Sequence, residues 1–263
     1  MTHSEKKNWV NIIIIIGMMS LIIIALPILT RPLMHQLQAL DWFWIVGLQE
    51  MPIVIIAWIL NRFYIKQAVF YRPSGSLKSL TFISSPILIL LLAITLSITF
   101  FYQISFKSLI ALWHILIGTT FIGISEEYLF RGLIFPQILK AIGTWTHKDL
   151  YSAIGISSLL FALIHVLNLT GQDLTATVIQ MVNAFSIGCL FCAIYIRSGS
   201  LLLPIVFHSL WNFGIFGLDG AILTPRSIFW MIIFNTILLA ITTYDLREQK
   251  LSQRDIWIEK LVS

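Results

Sequence analysis

Charge is scarce in this chain. Its 263 residues include 17 basic and 12 acidic side chains, 11% in all, against 58% hydrophobic residues and a mean hydropathy of +0.89. A soluble domain ordinarily carries about 25% charged residues, so the composition is that of a polytopic membrane protein. Cysteine is nearly absent. The two present, Cys189 and Cys192, fall in one apolar run. No second pair exists to complete a zinc ribbon, and thiols in a lipid-embedded helix pack as small apolar groups. No low-complexity tract, Pro-rich linker or soluble insertion separates the apolar segments, so residues 1–263 read as a single intramembrane domain. No internal repeat is evident, which argues against the repeat architecture common in transporters. The chain also lacks an H-E-x-x-H zinc helix, a G-x-S-x-G elbow and a G-x-G-D aspartate motif. Leu218-Asp219-Gly220 reads as a loop turn.

Long apolar runs are what the chain has in abundance. At roughly 20 residues per crossing, spans are expected at about 9–29, 40–60, 82–102, 108–125, 152–169, 176–196, 200–218 and 227–244. The expected fold is all-α, with about eight transmembrane helices. The first run follows Lys6 and Lys7, exceeds a signal-peptide core and shows no small-residue cleavage site before Arg31, so a retained first helix is expected. With that leader cytoplasmic, Arg62, Lys66, Arg72, Lys78, Lys140, Lys148, Arg197 and the tail residues Arg247, Lys250, Arg254 and Lys260 share its side; Arg31, Lys107 and Arg226 lie opposite. Basic residues favour the cytoplasmic side, which makes both termini cytoplasmic. The net charge of +5 is then a topology signal, and no nucleic-acid partner is expected. The basic, aromatic stretch 61–80 is expected to lie on anionic headgroups of the bilayer.

Against this apolar background a few polar residues stand out. Ionised groups at membrane depth are costly and mark functional sites by default. Glu126, Glu127 and Arg131 fall where the fourth run continues toward the cytoplasm. On a helix, Glu127 and Arg131 share a face while Glu126 points about 100° away. Glu127 is thus expected to be held by the guanidinium, leaving Glu126 free as a base. His165 follows Phe161 by four residues, and His208 precedes Asn212 by four, which puts an imidazole and a carboxamide on one face. Such a set suits hydrolysis by activated water: a carboxylate takes a proton from water and returns it to the leaving amine. The imidazoles could bind a divalent metal, which acidifies bound water, or orient the water directly. Asn212 offers an NH2 donor to an oxyanion. Glu50, before Met51-Pro52, could line the cavity or cap a kinked helix.

Glu126-Glu127-x-x-x-Arg131, Phe161-x-x-x-His165 and His208-x-x-x-Asn212, in that order, resemble the three motifs of the CAAX-protease and bacteriocin-processing family, also called Abi. That family includes type II prenyl-protein endopeptidases and proteins similar to lysostaphin resistance protein A. The motif-bearing core spans about 108–216. The resemblance implies an eight-helix, glutamate-dependent intramembrane endopeptidase, usually grouped with metalloproteases. By that analogy Glu126 activates water with His165, and His208 and Asn212 stabilise the oxyanion or help hold a metal. Glu127 and Arg131 support them, and His165 and His208 are the residues that would hold a metal such as Zn2+. The implied partner is a peptide or protein with a hydrophobic or lipidated C-terminus.

Two other functions fit buried Glu and His: a non-catalytic immunity or scaffold protein in the envelope, and a proton-coupled transporter. The protease reading also carries a geometric demand. With the spans above, His165 and His208 lie at different depths, and a shared site needs helix tilt or a fifth span that is shifted or broken.

Overall fold

The computed structural model describes residues 2–36, 42–73, 108–142, 146–216, 225–247 and 261. Its α-helices are α1 (His3–Gln36), α2 (Trp42–Leu60), α3 (Leu109–Glu127), α4 (Phe135–Ile142), α5 (His147–Ile164), α6 (Leu174–Ser198), α7 (Leu202–Phe216) and α8 (Pro225–Asp245). The fold is all-α, and no strand occurs among the described residues. Four described segments are long and apolar enough to cross a membrane: His3–Leu26, Leu109–Ile142, His147–Thr170 and Leu174–Ser198. Leu202–Phe216 and Met231–Asp245 are shorter apolar helices. Ile13, Leu21, Trp58, Trp113 and Ile232 are exposed on the outside of the bundle, where lipid would cover them. The chain is an integral membrane protein. The expected third span, 82–102, lies outside the described residues, as does the turn at 218–220.

Local chemistry sets where these helices begin and end. Ser108 caps α3 by accepting from the Ala111 N–H at 3.3 Å. Thr146 and Asp149 form a reciprocal capping box at the start of α5. Asp173 accepts from the Ala176 N–H at 2.9 Å to open α6, and Gly199, at φ 67°, closes it with its N–H on the Tyr195 carbonyl. A π-helical turn, Asn61–Ile65, follows α2 and ends in the left-handed Lys66. The next residues do not all lie flat on the surface, as the composition of 61–80 suggests. Phe63 and Tyr64 face outward, but Gln67 is buried, and the Phe70 carbonyl accepts from the Leu201 N–H at 2.8 Å. Asn61 causes the inward turn. Its Oδ1 accepts from the Gln67 N–H at 2.8 Å, and its Nδ2 donates to the Gln67 carbonyl at 3.0 Å and to Tyr128 Oη at 3.1 Å.

The largest departure from expectation concerns the fourth run. Its helix does not stop near residue 125 but continues unbroken from Leu109 to Ile142, through a π-helical stretch, Tyr128–Ile134, that joins α3 to α4. Pro136 is the second residue of α4 and follows directly on the π register. The π register hands over to α just before it, with the Phe135 N–H on the Phe130 carbonyl. Every residue from 127 to 139 is buried, so this half of the helix is wrapped by protein, with α1 and α5 packed against α4.

Glycine permits the second approach on which the site depends. A Cβ on Gly123 would collide with Ser209 Oγ and lie 3.0 Å from the Ile205 carbonyl oxygen, so α3 and α7 cross nearly backbone to backbone. Gly188 does the same for α6, where a Cβ would lie 3.2 Å from Arg131 Nη2. The largest core cluster runs through all of these elements, from Ile12 to Leu261.

Candidate active site

The π stretch carries Arg131 into the protein interior beside Glu127. Glu127 Oε1 accepts from Arg131 Nη1 at 2.8 Å and from His208 Nδ1–H at 2.7 Å. The Glu127 and Arg131 side chains are 0% and 1% exposed, so this is a fully desolvated triad. Such a charge pair holds only where the geometry is tight. Aromatic rings complete the enclosure. The Arg131 guanidinium carbon lies 4.5 Å from the centre of the Phe161 ring and 5.6 Å from that of Phe191. Cys189 and Cys192 are buried nearby as free thiols.

Glu126 takes the other direction, as its position on the helix demands. It is 26% exposed and lines a cavity of about 380 Å³ enclosed by α1, α2, α3, α5, α6 and α7. His165, His208 and Asn212 line the same cavity. His208 is the hinge between the two groups of residues. Its Nδ1–H is committed to Glu127, which turns Nε2 toward Glu126 Oε2 at 3.4 Å. A proton on either of these atoms closes that gap as a hydrogen bond.

His165 reaches the cavity because the fifth span breaks there. The α-helix ends at Ile164 and continues as the 3-10 helix His165–Thr170, and His165 and His208 line the same cavity. The His165 Nδ1–H donates to the Phe161 carbonyl at 2.8 Å, leaving the Nε2 lone pair available in the neutral ring. Phe161 stands edge-on to both imidazoles, with ring centres 5.0 Å from His165 and 5.9 Å from His208. One phenyl ring thus packs under Arg131 and spaces both histidines.

Glu50 also lines the cavity, and its Oε2 is hydrogen-bonded to Ser125 Oγ. Of the two sequence readings for it, cavity lining is the one found. The bond ties α2 to α3 one residue before Glu126. Sequence reasoning missed the carboxamides Gln49, Asn168 and Gln180, which line the same space. Asn168 could have been singled out, three residues after His165 at the end of an apolar run. Gln180 is a polar residue inside an expected span, the same signal that drew attention to the histidines.

The donor set does not fit a three-ligand metal cage. Among the described residues no three His, Cys, Asp or Glu side chains converge on a common point. His208 and His165 each engage Nδ1 with a protein acceptor, which leaves Nε2 as the nitrogen of each ring that a metal would use.

Comparison with known families points to the same stretch of chain. Residues 107–214 match the family model described as type II CAAX prenyl endopeptidase Rce1-like. No curated protein and no solved structure matches the chain. The match begins just before α3 and ends within α7, so it takes in the glutamate pair, both cavity histidines and Asn212. The segment that carries the glutamate pair, both cavity histidines and Asn212 is therefore similar to the type II CAAX prenyl endopeptidase Rce1-like family.

Proposed function

We propose that the chain is an intramembrane endopeptidase that hydrolyses a peptide bond with water activated by Glu126. The observation that carries this reading is the convergence of Glu126, His165, His208 and Asn212 on one cavity, with a buried Glu127–Arg131 pair fixing the His208 ring. Glu126 takes a proton from a water held also by His165 Nε2, and the water oxygen attacks the scissile carbonyl carbon. The developing oxyanion is met by the Asn212 NH2 and by His208 when its Nε2 is protonated. As the C–N bond breaks, Glu126 returns the proton to the leaving amine, giving a free acid and a free amine. General acid–base catalysis of this kind contributes about 10²–10⁴-fold, and a donor to the oxyanion about 10²–10³-fold. No step is routed through a metal.

The substrate is a peptide or protein presented from the bilayer, with a hydrophobic or lipidated C-terminus. The protein crosses the membrane eight times as one domain, with both termini cytoplasmic. Bacteriocin processing is one role such a peptidase could fill.

The test is cleavage of a peptide library by purified protein, read by mass spectrometry with and without chelator. Glu126→Ala and His165→Ala are each expected to abolish cleavage while the protein still accumulates in the membrane. Retained cleavage in both variants overturns the mechanism. Loss of cleavage on chelation overturns the metal-free step. A cellular phenotype that survives Glu126→Ala favours the immunity or scaffold reading.

A further inference from the structure

The wall of the cavity beside His165 carries a second polar arrangement that the hydrolytic step does not use. Asn168 Nδ2 donates to Gln180 Oε1 at 2.9 Å, and Gln172 Nε2 donates to the same oxygen at 3.0 Å. The orientation of these amides follows from the next bonds along the chain. Thr177 Oγ1 donates to the Asp173 carbonyl at 3.0 Å, so toward Gln172 it can only accept, and Gln172 must present its NH2. That NH2 needs an oxygen on Gln180, and Asn168 supplies its own NH2 to the same atom. None of these bonds uses Gln180 Nε2 or Asn168 Oδ1. These bonds thus leave one amide donor and one amide acceptor uncommitted, on two mutually hydrogen-bonded residues that line the cavity.

A donor beside an acceptor is the pattern that one residue of an extended polypeptide presents along its edge. The 3-10 conformation adds a register. Residues three apart are eclipsed in such a helix, so Asn168 lies on the same side as His165, about 6 Å further along at about 2.0 Å per residue. An extended chain advances about 3.3 Å per residue, so this separation corresponds to about two residues.

We propose that Asn168 and Gln180 form a subsite for the main chain of an extended peptide. Gln180 Nε2 donates to the carbonyl, and Asn168 Oδ1 accepts from the N–H, of a residue about two positions from the scissile bond. This rests on the endopeptidase reading above and deepens it: the ligand recognised there is a peptide backbone of any sequence, and Ile22, Ile53 and Ile122, which also line the cavity, take apolar side chains. Recognition of this kind tolerates substitution of substrate side chains but not loss of the substrate's amide hydrogen.

The test uses the full-length protein and a neutral peptide chosen as the tightest binder of a library on Glu126→Gln, with each amide in turn N-methylated. In the wild-type background one methylation, about two residues from the cleaved bond, is expected to raise KM about tenfold, the upper range for one hydrogen bond. Asn168→Leu should raise KM for the parent peptide and abolish the difference at that position alone. Gln180→Glu keeps the two bonds accepted from Asn168 and Gln172 but removes the donor, and should raise KM about tenfold with kcat little changed. Fluorescence polarisation of the same peptides on Glu126→Gln, alone and combined with Asn168→Leu, reads the contact without catalysis. If the wild-type protein cleaves nothing but that binding shows the position-specific loss, the hydrolytic reading fails and the subsite stands. A methylation profile that is flat, or identical with and without Asn168→Leu, overturns the subsite.

Discussion

Glu127 Oε1 has two donors and Glu126 has a cavity, and this difference decides what each can be exchanged for. Arg131→Met would leave Glu127 buried without its cation, a change that costs about 3–5 kcal/mol. We expect a correspondingly large fall in the thermal unfolding midpoint of the detergent-solubilised protein. Arg131→Lys should restore little of it, because a lysine cannot stack between Phe161 and Phe191 while reaching Glu127. Glu126→Gln lies at the other extreme. Its side chain keeps a polar wall, so stability should change by no more than about 0.5 kcal/mol while cleavage is lost. The different surroundings of the two glutamates were legible from helical spacing alone, since adjacent residues point about 100° apart. The contact between His208 and Glu127 was not. It spans 81 residues of sequence, and no spacing rule reports which helices meet.

At the scale of the helix, the hinge of the fold is the crossing of α3 and α7. Gly123 lets Ser209 and the Ile205 carbonyl come within contact of the α3 backbone, and that approach sets His208 beside Glu127. Gly123→Ala must push α7 outward, at a cost of about 1–3 kcal/mol for overpacking. The expected outcome is a lowered unfolding midpoint together with reduced kcat, measured on the same preparation. Gly214, also on α7, has open space around it, and Gly214→Ala should leave both unchanged. The apolar runs revealed where helices lie because roughly 20 apolar residues have few alternatives in a bilayer. They ended the fourth run near 125 because apolar length alone does not report the helix that continues through Arg131 to Ile142. Only wrapping by α1 and α5 makes a buried continuation tolerable there. The break of α5 at His165 was legible only as a demand for a common depth, without its position.

Across the whole molecule, one polar chain joins residues near opposite ends of the sequence. Asn11 Nδ2 donates to Gln137 Oε1 at 2.8 Å, Gln137 Nε2 to Gln67 Oε1 at 2.9 Å, and Gln67 Nε2 to the Leu261 carbonyl at 2.7 Å. Leu261 itself is fully buried in the main core cluster. Leu261→Ala should therefore destabilise the protein by about 2–5 kcal/mol, although it lies far from the cavity in sequence. Denaturation in detergent would read it, and a change below about 0.5 kcal/mol would show the tail to be dispensable. Nothing in the composition of the tail announced this. Trp257 and Ile258 among charges read instead as a segment lying on anionic headgroups, like 61–80. The π stretch that leads to Gln137 now takes on another meaning. It acts as a phase shifter between two halves of one helix: α3 is rotated to suit the glutamates, α4 to suit Asn11 and Gln67. An uninterrupted α-helix could satisfy one of those alignments but would turn the other away.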